Sequence, residues 1–129
     1  MFLRTICLAG VMAVASTSVF AADSEKPKDK EKLYHIVAVK FKEGTSDADK
    51  KVIGAAFGEL KKKIKEVKDF AGGESVSVEK LNKDFEYCAV LTFKDIASLK
   101  VYLEHEEHKA FVEKLKKHMA DVFVFDFWD

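Results

Sequence analysis

The side chains best suited to chemistry are the four histidines, two of which form the run His105-Glu106-Glu107-His108. Histidines at this spacing share one side of a helix and could bind a metal ion together with a third ligand. The run is not the zinc-protease motif, because that motif needs its second histidine at the position of Lys109. No glycine-rich phosphate loop and no Ser-His-Asp arrangement accompanies it in the sequence. A metal site therefore stays open as an alternative, and no metal ligand is assigned.

The first residues have the pattern of a secretory signal peptide. Arg4 provides a positive start, residues 6–15 are apolar, and Val19-Phe20-Ala21 places small residues where a signal peptidase cleaves. The apolar run is shorter than the about 20 residues that span a bilayer, and a retained N-terminal anchor is the alternative. We predict three segments: a signal peptide at 1–21, a charged tether at 22–33 and one domain at 34–129. The expected location is periplasmic or secreted, with no membrane contact after cleavage.

Charge and cysteine content narrow the classes of function. Basic and acidic residues number 22 each, and the only arginine, Arg4, is lost with the signal peptide. A near-neutral surface without arginine argues against nucleic acid binding, in which bidentate arginine is the usual contact. Cys88 then becomes the sole cysteine, which excludes an internal disulfide. We expect Cys88 to be a small buried residue of a strand.

Alternating apolar residues predict four strands, at residues 34–41, 75–80, 85–93 and 122–128. The second is weak and is expected at an edge of the sheet. A first helix begins with a capping box at Ser46 and carries an apolar stripe over 53–67. A second helix is capped by Asp95 or Ser98 and bends around residues 105–108. This order is that of the ferredoxin-like α+β fold, β-α-β-β-α-β, in which two helices cover one face of a four-stranded antiparallel sheet.

The apolar residues on the second face of this sheet indicate that the protein forms an oligomer. Two helices cover only one face, yet the first, third and last strands carry apolar residues on both. Left in water, the second face would be an apolar patch larger than monomers tolerate. Packing two sheets face to face about a two-fold axis buries that patch. We therefore predict a homodimer with these interface residues: Ile36, Ala38, Phe123, Phe125 and Phe127.

The face that points at the helices could hold a small molecule. An apolar lining with a few converging polar groups is typical of such sites. The predicted pocket residues are His35, Val37, Val39, Phe57, Ala89, Phe111, Val122 and Val124, with Tyr102 and His108 beside them. The same residues could also form an ordinary packed core, and the sequence alone leaves both interpretations open.

Four short motifs resemble the stress-responsive A/B barrel family. In chain order they are His35-x-Val37-x-Val39-x-Phe41-Lys42, Val90-x-Thr92-Phe93, Tyr102-x-x-His105-x-x-His108 and Phe125-Asp126-Phe127. They extend over most of the predicted domain, from residue 34 to residue 127. The resemblance implies a dimeric α/β barrel. It implies little about activity, because function belongs to sites and not to folds.

The resemblance also implies candidate catalytic residues. The plant polyketide cyclase of this family closes a linear polyketide by an aldol step, and its catalytic histidine and tyrosine fall on His108 and Tyr102. A further histidine of the cyclase falls on His35. A neutral imidazole can take a proton from a carbon between carbonyls while a phenol donates to the developing enolate oxygen. The sequence departs from this pattern at Glu106, where the family usually has proline, and at Tyr87, where the cyclase has histidine.

The expected function is that of an exported dimer that binds a small apolar or aromatic molecule between sheet and helices, without a cofactor. Two alternatives stay open: a cofactor-free aldol or lyase enzyme using His108 and Tyr102, and a structural or stress-protective dimer without a ligand. Relatives of the fold include haem-degrading monooxygenases, so His105 or His108 could be an axial ligand. The sequence contains no second haem feature.

Overall fold

The computed structural model describes residues 26–129, so the predicted signal peptide lies outside the described residues. These residues form one four-stranded antiparallel sheet with three helices. The elements are β1 (Leu33–Phe41), α1 (Asp47–Lys63), β2 (Asp69–Glu74), β3 (Tyr87–Phe93), α2 (Ile96–Glu104), α3 (Glu106–Lys116) and β4 (Met119–Trp128). The strand order is β2-β3-β1-β4, which puts β1 in the interior and β4 at an edge. The predicted ferredoxin-like α+β fold is confirmed, with the second helix divided in two.

Strict alternation along β1 separates the two faces of the sheet. Every second residue from Leu33 to Phe41 is buried, and the residues between them are only partly covered. The buried side faces the helices and forms a single apolar core with them. Its largest fully buried members are Tyr102, Phe57, Phe93, Leu33, Ile53, Leu60, Ile64, Leu91 and Val39. Burying one such side chain contributes about 1.5–3 kcal/mol.

The first two helices begin where the sequence predicts. Ser46 Oγ accepts a hydrogen bond from the Asp49 backbone N–H at 3.1 Å, which caps α1. Asp95, rather than Ser98, caps α2, because its carboxylate accepts the Ser98 backbone N–H at 2.8 Å. Helix α1 ends at Lys63, before the last two members of its predicted stripe, Ile64 and Val67, yet both of those remain buried. Within residues 26–129 no helix is long and apolar enough to cross a membrane.

A break at His105 separates α2 from α3. The residue has φ −68° and ψ 138°, an extended conformation that ends one helix and begins the next. Its Nδ1 accepts the backbone N–H of Glu107 at 3.1 Å, so the imidazole caps α3. An ion pair of 2.9 Å between Lys109 and Glu104 bridges the two helices. The bend predicted around residues 105–108 is therefore a break between two separate helices.

The second strand differs from its predicted position. The sequence placed it at 75–80, but β2 covers Asp69–Glu74 and residues 75–86 form the loop to β3. Val76 and Val78, whose alternation suggested a strand, are 90% and 92% exposed. The strand does lie at an edge of the sheet, as predicted for the weak second strand.

Close packing between β2 and β3 explains one of the two glycines of β2, Gly72. The Phe70 ring contacts the ring of Phe57 on α1, with centroids 5.8 Å apart. A Cβ atom on Gly72 would lie only 2.5 Å from the hydroxyl oxygen of Tyr87 on β3. A glycine is needed there because the tyrosine occupies the space that any side chain would take. The Gly72-Gly73 pair is part of the strand.

The second face of the sheet, here called the outer face, is uncovered in the single chain. Phe123, Phe125 and Phe127 pair with Ala38, Ile36 and Tyr34 of β1 in the register of the sheet. The three phenylalanines are 53%, 53% and 39% exposed.

Cys88 was expected to be buried in a strand, and this expectation is wrong. It pairs with Ala38 across β1 and β3 and lies on the outer face, where it is exposed. Its chain neighbours Tyr87 and Ala89 take the buried positions, so alternation leaves Cys88 on the opposite side. Partial burial among its neighbours still raises the pKa of the Cys88 thiol.

Candidate functional site

A cavity of about 300 Å³ lies between the sheet and helices α2 and α3. Its wall is formed by His35, Val37, Phe57, Tyr102, Leu103, His108, Phe111, Val112, Leu115, Met119, Val122, Val124 and Asp126. Most of this lining is apolar, and the polar groups are two imidazoles, one phenol and one carboxylate. Its volume is at the small end of the range for ligand sites.

The structure brings most of the predicted pocket residues together. His35, Val37, Phe57, Phe111, Val122 and Val124 all line the cavity, as do both catalytic candidates. Val39 and Ala89 do not, although they lie on the same face of the sheet. Both have no exposed surface and belong to the packed core with Tyr87, which fills this half of the space between sheet and helices.

Asp126 is a site residue that the sequence analysis did not select. It is the direct register partner of His35 across β1 and β4, and its Oδ1 lies 2.6 Å from His35 Nδ1. The histidine is buried, whereas the aspartate is partly exposed at the edge strand. The signal was present in the sequence, because an acid at a helix-facing position of an apolar strand needs a partner.

Tyr102 and His108 are adjacent despite their separation of six residues. Tyr102 lies in the last turn of α2 and His108 in the first turn of α3, and their ring centroids are 4.4 Å apart. A continuous helix would turn about 600° over six residues and leave the two side chains about 120° apart around its axis. The break at His105 removes this restriction. Tyr102 also contacts the ring of His35 edge to face at 6.0 Å.

His108 is positioned as a neutral base. Burial is the main reason why the pKa of His108 is lowered, with the nearby His35 adding to the effect. Its Nδ1 lies 3.0 Å from the carbonyl oxygen of Leu103, which can only accept a hydrogen bond. The proton of the neutral ring is therefore on Nδ1, and the lone pair is on Nε2, where it can accept a proton.

Tyr102 has the complementary character of a donor. The side chain is 1% exposed, and burial raises the pKa of the Tyr102 phenol far above its ordinary value. The hydroxyl thus keeps its proton at neutral pH. Among residues 26–129 it has no hydrogen-bond partner, so this donor is available to a molecule in the cavity.

The structure does not bring a metal-binding set together. No group of three His, Cys, Asp or Glu side chains within residues 26–129 could hold a metal ion. The Nδ1 atoms of His105 and His108 are both engaged with the backbone, to Glu107 and Leu103 respectively. His105 is also absent from the cavity wall.

Stability should depend on pH through His108. Because its folded-state pKa is lowered, the unfolded chain binds a proton more readily below about pH 6.5. We expect stability to fall as the pH is lowered from about 7 to about 5, and His108→Gln to lose part of this dependence. Urea unfolding across that range is the measurement, with His118→Gln as the control because it removes a histidine outside the cavity. Equal pH slopes for the wild type and His108→Gln would contradict the assignment.

The fold and the cavity define a class, a ferredoxin-like α+β protein with an apolar cavity between sheet and helices. The chain belongs to the stress responsive A/B barrel domain family, whose model matches residues 33–129. The family predicted from four short motifs is thereby confirmed.

Individual relatives are distant. Olivetolic acid cyclase from Cannabis sativa is 22% identical over 93 residues, covering 72% of this chain and 92% of the cyclase. Among solved structures, the hydroxynitrile lyase from Passiflora edulis has a TM-score of 0.72 at 20% identity, covering 78% of this chain and 94% of the lyase. A dimeric ferredoxin-like protein from Thermobifida fusca has a TM-score of 0.68 at 17% identity, with coverages of 78% and 93%. At these identities the structures establish the fold alone.

Proposed function

We propose that this protein is an exported homodimer that binds a small apolar or aromatic molecule carrying a hydrogen-bond acceptor. One observation carries the binding proposal: the Tyr102 hydroxyl, without a partner among residues 26–129, lies in the wall of an otherwise largely apolar cavity. A ligand acceptor could form a hydrogen bond with this hydroxyl, worth about 0.5–1.5 kcal/mol. The apolar wall provides affinity, and the phenol and imidazoles provide orientation.

The dimer is supported by the outer face. Three exposed phenylalanines on β4 lie beside the partly covered apolar residues of β1, and a monomer rarely leaves such a surface in water. Several structural relatives, including the Thermobifida fusca protein, are dimeric proteins of ferredoxin-like fold. Export is supported by the sequence pattern of residues 1–21.

A second candidate function is cofactor-free proton transfer of the aldol or lyase type. It is favoured by the contact between a neutral imidazole and a protonated phenol, with ring centroids 4.4 Å apart, at one wall of the cavity. His108 Nε2 would take a proton from a carbon next to a carbonyl, and Tyr102 would donate to the enolate oxygen. Two distant relatives are by name a cyclase and a hydroxynitrile lyase. His35, oriented by Asp126, lies close enough to Tyr102 to complete the polar side of the site.

Filling the cavity tests the binding proposal. Val124 lines the cavity from the edge strand and is half exposed, so Val124→Trp should enter the cavity with little loss of stability. We expect the wild type to bind at least one of p-cresol, 3-propylphenol and acetylacetone in calorimetric titrations. The variant should lose at least about tenfold in affinity.

The matched control is Val52→Trp, which places the same side chain on the exposed side of α1. It should bind like the wild type. If the wild type binds none of the three compounds, the binding proposal fails. The alternative of a structural dimer without a ligand then remains. Equal affinity in Val124→Trp would mean that the compound occupies another site.

A further inference from the structure

The loop between β2 and β3, residues 75–86, presents apolar side chains that its own domain does not cover. Besides the two exposed valines, Leu81 is 67% exposed. Exposed apolar residues occur singly on most surfaces, but three within one short loop are unusual. They need a second surface if they are to be buried.

Hydrogen bonds within the loop and at its base fix its conformation. The Phe85 backbone N–H donates to Asn82 O at 2.8 Å, and the Asn82 side-chain amide donates to Phe85 O at 3.0 Å. At the base of the loop, Ser75 N–H donates to Glu86 O at 2.8 Å. Three non-glycine residues adopt positive φ angles: Lys80, Lys83 and Asp84. Such conformations persist only where surrounding contacts fix them. The loop therefore holds Leu81 in a defined position.

The loop is continuous with the outer face of the sheet. A groove of about 460 Å³ has Leu81 and Phe85 on one side and the outer-face residues Ala38, Cys88 and Phe123 on the other. An ion pair of 3.5 Å between the side chains of Lys40 on β1 and Asp84 in the loop links the two regions. Leu81 thus stands at the end of the same apolar surface that carries the three phenylalanines of β4.

We infer that the loop of residues 75–86 is part of the dimer interface and that the groove beside Leu81 receives a second copy of this chain. A two-fold interface must carry both the projecting group and its receiving groove on one surface. The loop and the outer face together meet this requirement. A stable interface takes about 20–30 residues from each partner, and the outer face of the four strands offers only about 14 by the register of the sheet. The loop residues make up most of the difference.

This inference rests on the proposed dimer. The substitution Leu81→Asp tests the role of the loop separately from the existence of the dimer. Leu81→Asp should raise the dissociation constant of the dimer at least about tenfold, because it removes an apolar contact and places a charge at the interface. The isolated fold should be unaffected, since Leu81 is mostly exposed in the single chain. Sedimentation over a dilution series gives the constant, and thermal melts of the diluted protein check the fold.

Cys88 provides a second measurement because it is exposed in the single chain and lines the same groove. Alkylation of Cys88, located by mass spectrometry, should be slow in the wild-type dimer and faster in Leu81→Asp. Val52→Asp, an exposed substitution on α1, is the control and should alter neither result. A monomeric wild type would overturn the proposed dimer. A dimeric wild type whose dissociation constant and Cys88 alkylation are unchanged by Leu81→Asp would overturn only the role of the loop.

Discussion

Phe125→Glu is expected to convert the protein from a dimer to a folded monomer. Phe125 lies in the middle of the three phenylalanines of β4, with neighbouring ring centroids 6.4 Å and 6.2 Å away. A glutamate there would be buried without a partner in a face-to-face dimer, at a cost of about 3–5 kcal/mol for each copy. Because a two-fold dimer contains the change twice, its dissociation constant should rise by at least about a thousandfold.

Sedimentation of the two proteins at tens of micromolar measures this change. The fold should survive, since half of the Phe125 surface is already exposed in the single chain. Val52→Glu introduces the same charge on the helix side of the molecule and should remain dimeric. A Phe125→Glu protein that sediments as a dimer would show that the outer face is not the interface.

The second large effect concerns proton transfer. If His108 acts as a base, the wild-type protein should accelerate exchange of the C–H between the two carbonyls of ethyl acetoacetate with deuterium from D₂O. The proton moves from carbon to Nε2 of His108, the electron pair remains in the enolate, and the imidazolium returns a deuteron after exchange with solvent. His108→Ala should lose about 10²–10⁴-fold of the acceleration, the usual contribution of general acid–base catalysis.

Tyr102→Phe is the companion variant, with exchange followed by proton NMR for both. Removing one donor to a developing oxyanion costs about 10²–10³-fold in rate. Its stability should stay within about 1 kcal/mol of wild type, because the hydroxyl makes no hydrogen bond to residues 26–129 and none is lost. His118→Ala, outside the cavity, should leave the exchange rate unchanged. A wild type that binds the ester without accelerating exchange would exclude the enzyme candidate and keep the binding function.

The sequence predicts the faces of β1 and β4 well because side-chain direction in a strand has a period of two. Burial then follows directly from the alternation of His35, Ile36 and Val37, and the same rule places Phe123 and Phe125. The second strand could not be predicted in this way. Its position depends on the fit of Tyr87 against Gly72, a contact between two strands that no local pattern of apolar residues contains.

The candidate site could be predicted only in part. The motif motivated the selection of Tyr102 and His108, but their contact depends on the helix break at His105, which local propensity indicated only as a bend. The pair of His35 and Asp126 joins residues 91 positions apart in the chain. Recognising it requires the register between β1 and β4, which includes an irregularity after Lys40. Register of this kind is set by tertiary packing.

Strand β4 carries two different surfaces on one backbone, which constrains how this segment can evolve. Val122, Val124 and Asp126 line the cavity, while the residues between them form the outer face. Inserting or deleting a single residue early in the strand would exchange the two sets. Phenylalanines would then fill the cavity, and the carboxylate that contacts His35 would move to the opposite face. Point substitutions can adjust either surface separately, whereas a change of length by one residue damages both together.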